Sequence, residues 1–162
     1  MPTAAQHPAA TKRQKMITYP LLLEKFKGLL KSNTLKFTKQ RELILKFLYE
    51  NKGHFTPEDI YMSLKQEHPE INIGIATVYR TLTLLEDSEI VSSISFGAQG
   101  KKYELGLKKH HDHLICSKCG DIIEFFDETI ERQQELIAEK FNFQMTDHTM
   151  KIVGLCEKCQ NR

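Results

Sequence analysis

The chain lacks the features that would mark a membrane or secreted protein. It has no apolar run near the ~20 residues that a membrane-spanning helix requires. Its first residues include Lys12, Arg13 and Lys15 but no apolar core of the length that a secretory signal needs. We expect residues 1–17 to form a flexible N-terminal arm, with a transit peptide as the weaker alternative because Arg and Ser are not enriched there. These absences lead us to expect a cytoplasmic protein.

The sequence also lacks the short motifs of common enzyme sites. H-x-H-x-D-H, H-E-x-x-H, G-x-S-x-G and a phosphate-binding loop are all absent. We therefore predict that the chain is not an enzyme, and a metal-dependent hydrolase remains a minor alternative. Strong charge of one sign is missing too, since the net charge is +2. The charge is unevenly placed, with +3 on residues 1–90 and −1 on residues 91–162, which suggests a division of labour between the halves.

Apolar residues at helical spacing predict four short helices in the front half. They should cover about 18–31, 39–50, 57–67 and 74–88, with Thr38 and Thr56 as N-caps. In the fourth helix one stripe should face the core and Arg80 should project from the opposite side; the stripe is Ile75, Val78, Leu82 and Leu85. Two alternating runs, 91–96 and 101–105, flank a glycine-bearing turn and predict a β-hairpin. Helices followed by a hairpin predict a winged helix-turn-helix.

The pattern changes after about residue 106. Strands are predicted at 110–116, 121–126 and 143–155, with an amphipathic helix at 127–141. The predicted fold class is α+β: an N-terminal winged-helix DNA-binding domain and a small C-terminal α/β dimerisation domain. We place the boundaries at 18–98 for the first domain, 99–108 for a hinge and 109–162 for the second domain.

All four cysteines lie in two Cys-x-x-Cys pairs, Cys116/Cys119 and Cys156/Cys159. This spacing lets both sulfurs of a pair reach one tetrahedral ion, and a strand–helix–strand between the pairs would bring them together. Redox dithiols or buried free thiols are the alternatives, but neither pair starts a helix in a βαβ unit as a thioredoxin-like pair does. The pairs predict a structural zinc site that closes a small domain with a thin core.

A run of potential nitrogen and oxygen ligands precedes the first cysteine pair: His110, His111, Asp112 and His113. Side chains alternate along a strand, so His111 and His113 should point one way and His110 and Asp112 the other. One segment can thus serve two metal sites. Such ligands suit Fe(II), Zn(II), Mn(II) or Co(II), whereas the ordinary alternative is a solvated polar loop.

Several stretches resemble the ferric uptake regulator family of bacterial metal-dependent repressors. They are Leu35-Lys36-Phe37-Thr38-Lys39-Gln40-Arg41, Ile75-Ala76-Thr77-Val78-Tyr79-Arg80-Thr81-Leu82, Tyr103-Glu104, His110-His111-Asp112-His113-Leu114-Ile115-Cys116 and Cys119-Gly120-Asp121-Ile122-Ile123-Glu124-Phe125. The likeness covers about residues 20–160. The long arm and the complete set of cysteines look most like the family's Campylobacter and Helicobacter members.

The resemblance implies three metal sites per subunit. Structural zinc would bind Cys116, Cys119, Cys156 and Cys159. A regulatory site would use His54, Glu104, His111, His113 and Glu124, and a third site would use His110, Asp112, Glu131 and His148. Neither His54 nor His148 stands out without the family likeness.

The resemblance also implies double-stranded DNA as a partner. The helix at 74–88 would enter the major groove, with Arg80 suited to guanine and Tyr79 to thymine methyl groups. Lys36 resembles the family's minor-groove lysine, and Thr38, Arg41 and Thr77 would contact phosphates. The expected function is a homodimeric Fe(II)-dependent repressor that binds A/T-rich inverted-repeat operators of iron-uptake and iron-homeostasis genes.

Alternatives within the family are zinc, manganese or peroxide sensors. Peroxide sensors of the family tend to carry Asp where Glu104 and Glu124 stand, and zinc sensors often add a cysteine to the regulatory site, so both comparisons favour iron. From another class, a metal-storage or metallochaperone protein would need no Tyr79-Arg80 helix. Binding to A/T-rich DNA with and without metal would separate these two classes.

Overall fold

The computed structural model describes residues 17–95, 100–106 and 110–161. Four helices build the front half: α1 (Tyr19–Ser32), α2 (Lys39–Glu50), α3 (Pro57–Glu67) and α4 (Ile75–Asp87). A hairpin of β1 (Val91–Ser95) and β2 (Lys101–Leu105) follows them. The arm at 1–16 and residues 96–99, in the predicted hairpin turn, lie outside the described residues.

The predicted caps set where the helices begin. The Thr38 hydroxyl accepts a hydrogen bond from the backbone N–H of Arg41 at the start of α2. At α3 the Thr56 hydroxyl accepts from the Asp59 N–H (3.0 Å), and the Asp59 carboxylate accepts from the Thr56 N–H (2.8 Å). This reciprocal capping box, with Pro57 in the first turn, fixes the start of α3 and with it the direction of the preceding loop.

The hydrophobic core lies in the front half. Leu22, Phe26, Ile44, Ile60 and Leu82 are fully buried, and residues of β1 and β2 close the core from the side of the hairpin. The predicted stripe of α4 is right at Val78, Leu82 and Leu85 but wrong at Ile75, which is 37% exposed. Ile75 is the first residue of α4, so its side chain lies beyond the end of the packed interface, and Thr81 takes a buried place instead.

The back half is a three-stranded sheet with one long helix. Its elements are β3 (Asp112–Cys116), β4 (Ile122–Phe125), α5 (Glu128–Lys140), β5 (Lys151–Gly154) and α6 (Glu157–Gln160). The strand order is β4-β3-β5, with β3 antiparallel to β4 and parallel to β5. Parallel neighbours need a crossover, and α5 provides it.

Two predictions for the back half need correction. The long strand predicted over 143–155 is wrong, because only Lys151–Gly154 form β5. Asp147 accepts a hydrogen bond from the N–H of His148 (2.9 Å), a local side-chain bond that competes with an extended ladder. The short helix α6 was not predicted.

The α+β fold class and the winged-helix arrangement are confirmed. Residues 101–105, which fall inside the predicted hinge, form β2 and pair with β1 along their length. The domain boundaries remain predictions. Across the residues that the structure describes, we find no helix long and apolar enough to span a membrane.

Candidate metal centres and DNA-facing surface

Side chains point to alternate sides along the first residues of β3 and the two residues before it, His110 and His111, and this divides the histidine-rich segment between two clusters. His111 and His113 lie in one cluster with His54 and Glu104, which we call the hinge cluster. His110 and Asp112 lie in a second, which we call the helix cluster; its other members are Glu131 and His148. One short segment therefore contributes two side chains to each.

The donor atoms of the hinge cluster converge on one point. The Oε1 atom of Glu104 lies 3.3 Å from His54 Nε2, 3.2 Å from His111 Nε2 and 3.6 Å from His113 Nε2. Glu124 lies at the edge, with its carboxylate oxygens 3.8 Å from His54 Nδ1 and 3.9 Å from His111 Nε2. It is the least buried of the five, with 37% of its side chain exposed.

A backbone bridge brings the front-half members of the hinge cluster together. The N–H of Phe55 donates to the carbonyl of Tyr103 (2.9 Å), and the N–H of Tyr103 donates to the carbonyl of Phe55 (2.8 Å). His54 and Glu104 are the chain neighbours of these two residues. The loop before α3 and strand β2 are thus held in register.

Burial keeps one hinge-cluster imidazole available as a ligand. His113 is 6% exposed, and desolvation lowers its pKa, with a further lowering by His111 that the carboxylate of Glu104 opposes. A lowered pKa keeps the ring neutral near pH 7, and the neutral imidazole is the form that coordinates metals.

The helix cluster joins β3 to α5 and to the loop before β5. His110 Nε2 lies 3.6 Å from Asp112 Oδ1 and 3.4 Å from Glu131 Oε1, and His148 Nε2 lies 3.1 Å from Glu131 Oε2. Asp112 is fully buried. Its Oδ1 accepts from the N–H of Met150 (3.2 Å), whereas Oδ2 has no hydrogen-bond partner among the described residues.

The sulfur cluster closes the far end of the back half. Cys116 is the last residue of β3 and Cys119 lies in the turn after it. Cys156 is the N-cap of α6 and Cys159 lies within that helix, so the second pair does start a helix, contrary to expectation; no described strand follows α6, so the pair is not in a βαβ unit. The four Sγ atoms lie within 4.8 Å of one another and all four cysteines are free. The N–H of Cys156 donates to Cys116 Sγ (3.4 Å) and lowers the pKa of that thiol to about 6, toward the thiolate that binds metals.

The donor sets and spacings fit metal ions. Zn–S bonds of about 2.3 Å in a tetrahedron place sulfurs about 3.8 Å apart, and Cys119 Sγ lies 3.7 Å from Cys156 Sγ. Nitrogen and oxygen ligands at about 2.0–2.2 Å lie about 3.0–3.6 Å apart around an ion, close to the separations in the other two clusters. The unpartnered Oδ2 of Asp112 is the strongest local sign, because a buried carboxylate oxygen is costly unless a proton donor or cation satisfies it.

Residues predicted to face DNA lie on the outer side of α4 and at the start of α2. Tyr79 and Arg80 are exposed, and Thr77 is half-buried. Lys36 is exposed, and its carbonyl accepts a hydrogen bond from the guanidinium of Arg41. Thr38 and Arg41 therefore also shape the loop that carries Lys36.

Two contacts have no signal in the sequence. Glu58 accepts a hydrogen bond from the hydroxyl of Tyr79, and Lys102 of β2 donates to the carbonyl of Gly120 in the cysteine turn (2.7 Å). Both join elements that are distant along the chain. Only the packing of α3 on α4, and of the hairpin on the back half, reveals them.

The fold and the clusters define a class. A winged helix that shares a group of metal-ligand side chains with a small α/β unit is the architecture of a metal-responsive regulator. The chain belongs to the Ferric uptake regulator family, whose sequence profile matches residues 32–153.

Individual relatives agree with this assignment. The ferric uptake regulation protein of Campylobacter jejuni is 56% identical over 146 residues, which cover 90% of this chain and 93% of that protein. The Helicobacter pylori ferric uptake regulator, whose structure reveals three functional metal binding sites, is 38% identical with a TM-score of 0.83, covering 90% of this chain and 96% of that one. A peroxide-responsive repressor of Staphylococcus saprophyticus is 34% identical over 82% of this chain and 88% of its own length.

Proposed function

We propose that this protein is a homodimeric, Fe(II)-dependent transcriptional repressor. Its targets would be A/T-rich inverted-repeat operators of iron-uptake and iron-homeostasis genes, read in the cytoplasm. The observation that carries the proposal is the composition of the hinge cluster. His54 and Glu104 come from the winged-helix half, whereas His111 and His113 come from the back half, so one ion would bind both halves at once.

The hinge cluster can act as a switch because its ligands must approach one another to share an ion. Glu104 and the three histidines would hold the two halves in the orientation that this structure has, and the side chain of Glu124 is near enough to complete the set. The ion supplies positive charge and directional bonds at the buried Glu104 carboxylate. Its effect on DNA binding equals its differential affinity for the two arrangements of the halves.

The proposed DNA surface follows the exposed side of α4. Tyr79 and Arg80 would meet base edges in the major groove, and Arg80 has the forked donors that suit guanine. Lys36 would enter the minor groove, where narrow A/T-rich tracts concentrate negative potential. Thr77, Thr38 and Arg41 would set the register through phosphates.

The apolar surface of the back half supports the proposed dimer. Large hydrophobic side chains are exposed on both the sheet and α5, and none of the residues of α5 is buried. They include Ile123, Ile137, Phe141, Phe143, Ile152 and Val153. Large exposed patches of this kind mark protein interfaces. We propose residues 109–162 as the dimerisation domain, 18–98 as the DNA-binding domain, 99–108 as the hinge and 1–17 as an arm.

The proposed metals follow ligand chemistry. The sulfur cluster would hold structural Zn(II). The hinge cluster would hold regulatory Fe(II), for which Zn(II) or Mn(II) can substitute, and the helix cluster would hold a third ion. A peroxide, zinc or manganese sensor is the alternative. Because a peroxide-responsive repressor is also 34% identical to this chain, overall sequence identity does not separate these sensors, and only the identity of the metal ligands can. Glu104 and Glu124 favour an iron sensor over a peroxide sensor, because peroxide sensors of the family tend to carry Asp at these two positions.

The test is an anaerobic titration of operator binding with Fe(II), Mn(II) and Zn(II), with the structural zinc retained. We expect Fe(II) to raise affinity for an A/T-rich inverted repeat at the lowest free-ion concentration. The double variant with His111→Ala and His113→Ala should lose this response and remain a folded dimer. A variant that still responds to metal would contradict the assignment of the hinge cluster. The same gain in operator affinity at a far lower free concentration of Zn(II) or Mn(II) than of Fe(II) would support a zinc or manganese sensor.

A further inference from the structure

The side chain of Tyr79 is tied to the neighbouring helix. Its hydroxyl donates a hydrogen bond of 2.6 Å to Oε1 of Glu58, within the range of short charge-assisted O–H···O⁻ bonds. Tyr79 remains 45% exposed on the outer face of α4. The same bond raises the pKa of the Tyr79 phenol, because it stabilises the protonated form of the hydroxyl.

The acceptor, Glu58, lies in a part of the backbone that is fixed by helix capping. Glu58 lies in the first turn of α3, directly after Pro57 and between the partners of the Thr56–Asp59 capping box. A carboxylate is also favoured at this position by the positive end of the helix dipole. Since α3 packs against α4, the spacing of the two helix backbones that carry Glu58 and Tyr79 is set by the core and not by a loop.

We propose that Glu58 is a positioning residue for DNA recognition, which holds the Tyr79 ring in one orientation with its hydroxyl turned toward α3. The inference rests on the proposed function and deepens it. The single hydroxyl hydrogen is given to Glu58, so Tyr79 has none to donate to acceptors on bases. What it presents to the groove is the apolar part of the ring, which suits the methyl group of thymine.

In this arrangement two adjacent residues of α4 recognise different features of the bases. Arg80 carries hydrogen-bond donors for guanine, and Tyr79 reads the presence of a methyl group. Glu58 has opposite effects on two measurable quantities. Its negative charge repels phosphates and lowers the affinity for DNA of any sequence. Its hydrogen bond orders the Tyr79 ring and raises the preference for thymine over uracil. Removing Glu58 should therefore separate affinity from specificity.

The experiment compares thymine with uracil, which differs only by lacking the methyl group. The full-length zinc-containing protein is loaded anaerobically with Fe(II) and bound to an A/T-rich inverted-repeat duplex. Single thymines of each half-site are then replaced by uracil. We expect the wild-type protein to lose about fourfold in affinity at the thymine that Tyr79 contacts, the value of one buried methyl group.

Two variants remove the same bond from its two ends. Glu58→Ala and Tyr79→Phe should each reduce the thymine-to-uracil ratio toward the value of Tyr79→Ala, and the double variant should reduce it no further. Glu58→Gln, whose amide oxygen still accepts, should keep most of the ratio and bind somewhat more tightly overall. Glu67→Ala, at the other end of α3, is the matched control and should keep the wild-type ratio.

The outcomes separate the inference from the proposed function. A thymine-to-uracil affinity ratio equal to that of wild type in both Glu58→Ala and Tyr79→Phe overturns the inference. So does a double variant whose ratio falls by the product of the two single reductions. Because Tyr79→Phe leaves the start of α3 untouched, its result stands even if Glu58→Ala lowers stability in a thermal melt. Wild-type protein that binds the duplex without preferring thymine overturns the inference alone. Failure to bind the duplex with any metal overturns both.

Discussion

His54 Nε2 and His113 Nε2 lie 3.2 Å apart, although 59 positions separate them in the chain. Two ring nitrogens at this distance, both beside the Glu104 carboxylate, form a site to which the two halves of the molecule contribute. Removal of His54 leaves Glu104 and both back-half histidines of the cluster in place. It therefore offers the cleanest test of coupling.

We predict that His54→Ala weakens the link between metal and DNA more than it weakens metal binding. Coupling energies between sites are commonly about 1–3 kcal/mol, or about 5- to 150-fold in affinity. The variant should lose most of the Fe(II)-dependent gain in operator affinity, while Fe(II) still binds to Glu104, His111 and His113. Calorimetric metal titration and DNA binding at several metal concentrations measure the two quantities.

His68→Ala is the matched control, because His68 ends α3 on the front half and pairs with Glu70 at 3.5 Å, outside the three clusters. It should keep the full metal response. A normal response in His54→Ala would mean that the front half does not sense the ion through this residue.

The buried carboxylate of Asp112 gives a prediction whose outcome depends on the metal. Asp112→Asn replaces the unpartnered carboxylate oxygen by an amide group and keeps one oxygen to accept from the N–H of Met150, so the metal-free protein should keep its stability. With a divalent ion added, the wild-type protein should be stabilised more than the variant, because the variant lacks an anionic ligand. Thermal unfolding with and without added Mn(II), at constant zinc, provides the measurement. Equal metal stabilisation of both proteins would remove Asp112 from the helix cluster's ligands.

The sulfur cluster should hold the back half together. Among the described residues beyond 106, the buried apolar side chains are Ile115, Cys116 and Cys159 only, so the hydrophobic core there is small. Cys119→Ser should release zinc and lower the unfolding midpoint of the back half by about 10 °C or more. Scanning calorimetry with zinc analysis tests this, and chelator-treated wild-type protein should match the variant. A variant that keeps both its zinc and its midpoint would contradict the structural role.

The sequence predicted those parts of the fold that short-range chemistry determines. Thr38 and Thr56 cap their helices as expected, because cap preferences depend on a few neighbouring backbone groups. The division of the histidine-rich segment also followed from local alternation. The strand predicted at 143–155 was wrong, because apolar–polar alternation cannot reveal the hydrogen bond from the His148 N–H to the Asp147 carboxylate, which competes with an extended ladder.

Residues brought in by tertiary structure could not be found this way. His54 and His148 each stand alone in the sequence, and only the family resemblance pointed to them. The bridge between Phe55 and Tyr103 places His54, and the crossover through α5 returns the chain to place His148. Neither event leaves a periodic signal. The contact of Glu58 with Tyr79 had no signal either, since the two residues lie 21 positions apart on different helices.

The contact of Glu86 with the hairpin of β1 and β2 should make the free energy of unfolding depend on pH. Its carboxylate accepts hydrogen bonds from the Ser93 hydroxyl of β1 and from Lys101 Nζ of β2 (3.1 Å), so the end of α4 is tied to both hairpin strands. Burial of Glu86 opposes ionisation, but the bonds from Ser93 and Lys101 outweigh it and lower the pKa of Glu86 below its ordinary value. A group whose pKa is lowered by folding stabilises the folded state above its unfolded pKa. That contribution disappears as pH falls through the folded pKa.

We therefore predict that Glu86→Gln lowers the free energy of unfolding by about 1 kcal/mol at pH 7. The difference from wild type should begin to shrink as pH falls below about 4.3, where Glu86 of the unfolded chain binds a proton, and should disappear once pH has fallen through the lower folded pKa. Denaturant unfolding at a series of pH values measures it, with Glu67→Gln as a control for the loss of one negative charge. An uncharged Gln and a protonated Glu offer β1 and β2 nearly the same contacts, so the difference should vanish when Glu86 is protonated. A difference that stays constant down to pH 3 would show that the charge of Glu86 does not stabilise the contact between α4 and the hairpin.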